Sequence, residues 1–126
     1  MATKEETELQ KKIMLELSKY GIVIRQQSGT FQVVDNIDQV MKYGAKPKIR
    51  YIKCGFPGIS DLQFIRDDGR LIVFMEVKTH RKGSKPSDEQ ENFINFINAK
   101  NSPNLKAVIV RSVEDALKSI GVDYAT

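Results

Sequence analysis

At 126 residues, 40% apolar and 29% charged, the chain can bury about two-thirds of its unfolded surface around one core, which excludes disorder. With 8 glycines and 4 prolines it is neither collagen-like nor a linker. No apolar run approaches the ~18–20 residues that span a bilayer, the first six residues lack the apolar stretch of a signal peptide, and a lone Cys54 excludes an internal disulfide framework and a cysteine zinc site. A soluble, cytoplasmic protein with no membrane partner is the expectation. Twenty Lys and Arg against 16 Asp and Glu give +4, too mild a total to name a partner. The distribution says more. Between Gln39 and Ser60 stand Lys42, Lys46, Lys48, Arg50 and Lys53 with no acid, and His80, Arg81, Lys82 and Lys85 form a second basic cluster, while acids gather around 61–76 and 88–91. That pattern suits either a polyanion approaching a cation-binding site or solvated loops.

Residues 3–20 read as an amphipathic helix carrying Leu9, Ile13, Leu17 and Tyr20, with Gly21 as its C-terminal stop. Strands are predicted over 22–27 and 31–34, a short helix over 36–43, and a weak strand over 49–53 that Gly55-Phe56-Pro57-Gly58 breaks. The clearest pattern follows: two β-rich runs, 61–66 and 70–78, joined through Asp67-Asp68-Gly69. An Asp-Gly pair between apolar runs predicts a hairpin closed by a type I′ turn. The second run has Leu71, Val73, Met75 and Val77 on one face and Ile72 and Phe74 on the other, as in a strand covered on both sides. A helix over 87–99, a buried strand over 105–111 and a short helix over 112–120 complete the order. The expectation is one α/β domain over 1–126, with one mixed sheet flanked by helices.

Counting outward from Asp68-Gly69 pairs Ile65 with Ile72, Phe64 with Val73, Gln63 with Phe74 and Leu62 with Met75, which sets Asp61 opposite Glu76. Opposed residues of an antiparallel pair have Cα atoms only ~4.5–5.5 Å apart, and period-two alternation puts Lys78 on the face of Glu76. Two carboxylates side by side are costly. One carboxyl can stay protonated, Lys78 can neutralise one charge, or a divalent cation can bridge both. Oxygen donors with room for water suit Mg²⁺ or Mn²⁺, which would neutralise a phosphate and activate water for phosphodiester hydrolysis, with Lys78 positioning that water. A structural salt bridge at the hairpin end is the competing reading.

Asp61 followed by Glu76-Val77-Lys78 resembles the D…ExK signature of the PD-(D/E)XK nucleases. With Gly55-Phe56-Pro57-Gly58-Ile59-Ser60-Asp61-Leu62, Met75-Glu76-Val77-Lys78-Thr79 and Ser87-Asp88-Glu89-Gln90, the chain is similar to the VRR-NUC family over about residues 6–113. Glu6-Thr7-Glu8-Leu9-Gln10 resembles that family's N-terminal helix, and Arg25-Gln26-Gln27-Ser28-Gly29 its R-x-x-S-G turn. The resemblance implies a restriction-endonuclease-like core and a Mg²⁺- or Mn²⁺-dependent DNA endonuclease. It further implies a homodimer, selective for DNA structure like a Holliday-junction resolvase, of a kind found in phage. Asp61, Glu76 and the Val77 carbonyl would hold the metal, Lys78 would act on the attacking water, and Glu6 and Gln90 would complete the site.

Glu6 lies on the stripe of Leu9, Gln10 and Ile13, whereas Glu8 points away; Glu5 is an alternative, and a first-turn glutamate favoured by the helix dipole is the plain reading. Ser87-x-x-Gln90 is also a capping box, so Gln90 has a structural role to compete with a site role. Arg25, Arg81, Lys82 and Lys85 are candidates to hold the DNA backbone. His80 reads as solvated and Cys54 as packing. A catalytically idle nucleic-acid-binding module and a small α/β interaction protein remain the alternatives.

Overall fold

A computed structural model describes residues 3–26, 29–54, 58–81 and 83–123. The expected positions Gln27, Ser28, Gly55, Phe56, Pro57 and Lys82 lie outside the described residues, as does the side chain of Cys54. The chain forms two compact units, Gln27–Phe56 and the remainder.

The larger unit is built on a mixed sheet. Helix α1 (Lys4–Leu17) starts where Thr3 Oγ1 accepts the Glu6 amide at 3.1 Å, and its buried residues are Glu6, Gln10, Ile13 and Leu17, one stripe at helical spacing. Its end differs from expectation: Ser18, in the right-handed region, caps the helix, and the chain turns through Tyr20 before strand β1 (Gly21–Arg25) begins. Gly21 is needed for a close approach, since a Cβ there would collide with the Ile65 carbonyl oxygen across the sheet.

Strands β4 (Leu62–Arg66), β5 (Ile72–Val77) and β6 (Leu105–Val110) join β1 in the order β1-β4-β5-β6. β1, β4 and β5 run antiparallel; β5 and β6 are parallel, linked by helix α3 (Asp88–Asn98). The fold is therefore α/β, with a mixed sheet flanked by helices, and the doubly apolar strand β5 lies inside it. Leu71, Val73, Met75 and Val77 pack with Ile13 and Leu17 of α1 and with Ala116 and Leu117 of α4 (Val113–Ser119). On the opposite face Phe74 meets Phe93 edge-on, at 5.2 Å between ring centroids, beside Ile97 and Ala107.

The hairpin register is the predicted one, from Ile65↔Ile72 to Leu62↔Met75. Its turn is not. The Arg66 carbonyl accepts the Gly69 amide at 2.8 Å, and Gly69 (φ 70°) is the sole residue of the connection at positive φ. A type I′ turn needs two such residues. Asp68 instead accepts the Arg70 amide at 2.9 Å and the Arg66 guanidinium, while the Asp67 amide donates to the Tyr20 carbonyl.

The smaller unit pairs β2 (Gly29–Val34) with β3 (Ile49–Cys54) antiparallel, around helix α2 (Ile37–Tyr43), which ends on Gly44 in the left-handed region. Asn36 ties the connection by accepting from the Lys48 amide and donating to the Lys46 carbonyl. The expected single sheet is thus two separate ladders: β1 takes β4, distant in sequence, as its partner, and β2 and β3 pair with each other. Among the described side chains of this unit none is buried. No helix among the described residues is long and apolar enough to cross a membrane.

Candidate functional site

Asp61, Glu76, Lys78 and Gln90 meet at the end of the β4–β5 hairpin, on the α3 side of the sheet. Asp61 stands one residue before β4. Its carbonyl accepts the Gln26 amide at 2.8 Å, and its Oδ2 accepts the Val77 amide at 2.9 Å. The main chain on both sides thereby fixes this residue, Gln26 through its carbonyl and Val77 through its carboxylate. Glu76 follows Met75 on the interior strand and is 1% exposed.

The two oxygens of Glu76 have unequal surroundings. Oε1 accepts Gln90 Nε2 at 2.7 Å and faces Lys78 Nζ at 3.6 Å. Oε2 is buried and has no hydrogen-bond partner. Burial, first, and the neighbouring Asp61 charge, second, push the Glu76 carboxyl up to about 8, against the opposing pull of Lys78. Desolvation wins because a single ammonium at 3.6 Å offsets only part of the cost of sinking a carboxylate beside another.

Gln90 makes two sets of hydrogen bonds. Its Oε1 accepts the Ser87 amide at 2.8 Å and the Ser87 hydroxyl accepts the Gln90 amide, a complete capping box. The same side chain turns its Nε2 to Glu76. The cap fixes which end of the amide is the donor, so α3 presents N–H to the carboxylate. Gly58 locks the preceding turn against this helix start: at φ 77° it lies so close to Glu89 and Gln90 that a Cβ would strike their main chain.

Of the three glutamates in the first helix, Glu6 is buried, whereas Glu5 and Glu8 are exposed. Glu6 belongs to α1 on the opposite face of the sheet, and its Oε1 accepts the Ser84 hydroxyl at 3.1 Å rather than a bond from the hairpin cluster. Ser84 in turn accepts the Thr79 amide. Thr3, Glu6, Thr79, Arg81, Gly83 and Ser84 line a cavity of about 200 Å³. Sequence reasoning missed Arg111, whose Nη1 donates to the Thr79 and Ser84 carbonyls at 2.6 and 2.8 Å and closes the 79–84 loop. Its signal was weak: one arginine at the end of a strand. Arg25, His80, Arg81 and Lys85 are exposed and make no ion pair among the described residues.

Asp61 and Glu76 are joined by no third Asp, Glu, His or Cys among the described residues. The donor set is two carboxylates, the nearby main chain and open coordination to water, all oxygen, which fits a hard divalent cation. An orphaned buried Oε2 beside a second carboxylate is the kind of atom such a cation satisfies. Compared with known proteins, the chain matches no family model, no curated protein and no solved structure.

Proposed function

We propose that the protein is a Mg²⁺- or Mn²⁺-dependent DNA endonuclease of the VRR-NUC kind, with a PD-(D/E)XK core, acting as a homodimer on branched DNA. The observation that carries this reading is the buried Glu76 Oε2, without a hydrogen-bond donor, next to Asp61. Asp61, Glu76 and the Val77 carbonyl would hold the cation. When bound, it supplies Lewis-acid polarisation of the phosphodiester and activation of water.

The chain's own residues do the rest. Lys78, its side chain 14% exposed and its Nζ held at 3.6 Å from Glu76, orients the attacking water and steadies charge on the phosphate oxygens. Gln90 holds Glu76 in one rotamer. Attack of water on phosphorus breaks one P–O ester bond and leaves a phosphate monoester and a hydroxyl. Arg81, Lys85, Lys82 and Arg25 hold the backbone without reading bases, so selectivity comes from DNA shape. Glu6 acts at one remove, through Ser84 and the loop that follows the catalytic strand.

The Lys78–Glu76 pair favours a second reading, a structural salt bridge in a protein that is not a nuclease. Glu76→Gln separates the two. In a nuclease it lowers cleavage of a branched and linear DNA panel by at least ~100-fold, leaves DNA affinity within about threefold, and raises metal-free stability by relieving carboxylate repulsion. For a salt bridge it lowers stability by ~1 kcal/mol or more. Absence of cleavage by the wild type with Mg²⁺ and with Mn²⁺ would end the nuclease reading.

A further inference from the structure

A second charged feature lies at the other end of the hairpin, separated from the carboxylates by the five residues of β4, about 17 Å of strand. Arg66, Arg70, Lys106 and Lys118 line a cavity of about 380 Å³, over a floor that includes the buried Leu71 and Ile120. Three segments build its walls: the β4–β5 connection, the approach to β6 at Pro103 and Asn104, and the end of α4. The Ile72 amide, donating to the Asn104 carbonyl at 2.9 Å, holds the first two together.

Two of the four cations are already neutralised. Asp68 takes the Arg66 guanidinium at 2.9 Å, and Glu114 takes Lys118 at 3.3 Å. Arg70 lies in the field of Asp68, which accepts its main-chain amide, but its guanidinium makes no ion pair, and neither does Lys106, among the described residues. Lys106 is the informative one: it sits on β6 opposite Val73 and is half-buried, so the sheet fixes where its stem leaves the cavity wall. A cavity within the ~300–1,000 Å³ of small-ligand sites, lined by four cations of which Arg70 and Lys106 make no ion pair, suits an anion with several acceptor oxygens.

We propose that this cavity binds linked phosphoryl groups, Arg70 and Lys106 each taking one. The shared chemistry can come from successive phosphates of a nucleic-acid backbone or from the polyphosphate of a nucleotide. The site owes nothing to the carboxylate pair and stands whether or not the protein cleaves DNA.

The test is a titration in EDTA of ¹⁵N-labelled protein with tripolyphosphate, ATP and a short single-stranded oligothymidylate. The wild type is compared with an Arg70→Gln/Lys106→Met double variant, which keeps most of each aliphatic stem in place, and with Lys12→Ala, on the exposed side of α1, as the control. The expected result is movement of the Leu71, Asn104, Lys106 and Gly121 amides, with affinity about tenfold weaker in the double variant and unchanged in Lys12→Ala. Tighter binding of the oligonucleotide assigns the backbone as ligand, and tighter binding of ATP or tripolyphosphate assigns a nucleotide. The proposal is overturned if none of the three probes moves these amides, or if a folded double variant, judged by its spectrum, binds as the wild type does. Because no metal is present, loss of this binding is distinct from failure of the nuclease reading.

Discussion

Glu76 carries the largest electrostatic cost in the site, and its titration makes that cost measurable. A carboxyl held near 8 in the native state binds a proton that the unfolded chain, near the ordinary value of about 4.5, has already released. Below both values the group makes no difference. Between them native stability falls as pH rises, by up to ~1.4 kcal/mol per unit, and above the native value it levels off. Urea unfolding of the metal-free protein across that interval is expected to show this slope, and Glu76→Gln to remove it. On the proposed reading, cation uptake must displace the same proton. Calorimetry in buffers of different ionisation heat is therefore expected to record release of close to one proton near neutrality. Release should fade to none about a unit above the native value. Proton release that is absent at neutrality and does not vary with pH would show that the cation binds elsewhere.

Among the elements, the local ones were legible and the distant pairings were not. The register that opposes Asp61 and Glu76 depends on a connection a few residues long, and alternation carries it along both strands. The turn type escaped because one tertiary bond, from the Asp67 amide to the Tyr20 carbonyl, and one local pair, Arg66 with Asp68, override the preference of an isolated Asp-Gly pair. The partner of β1 also escaped, since nothing near Gly21 announces an edge pairing with Arg66. In the site, the carboxylates, Lys78 and Gln90 could be found from spacing; Arg111, Ser84 and the two roles of one amide needed three dimensions. Gly58 shows how far a turn residue can reach. Gly69→Ala, with open space around it, is expected to cost only the ~1–2 kcal/mol of a left-handed alanine. Gly58→Ala adds a main-chain collision with Glu89 and Gln90. It should cost more than Gly69→Ala in thermal unfolding, and should lower cleavage by loosening Asp61 and Gln90 together.

Across the whole molecule, burial is unevenly shared. β5 and β6 lie between two apolar clusters, whereas the described side chains of the smaller unit include no buried one, and Met41, Tyr43 and Tyr51 are 78, 81 and 68% exposed. Hydrogen exchange is expected to place the β5 amides at the global unfolding free energy, and those of α2, β2 and β3 well below it. Equal protection in the two units would contradict this.

The chain order of the site has a kinetic consequence. The hairpin brings its two carboxylates together by short-range closure, whereas the amide of Gln90 comes from a helix further along, on the crossover between the parallel strands. An early hairpin nucleus would therefore meet like-charge repulsion before its hydrogen-bond donor arrives, and the barrier to folding, more than the barrier to unfolding, would carry the penalty. Refolding should quicken in mild acid, while the unfolding limb of the chevron hardly moves.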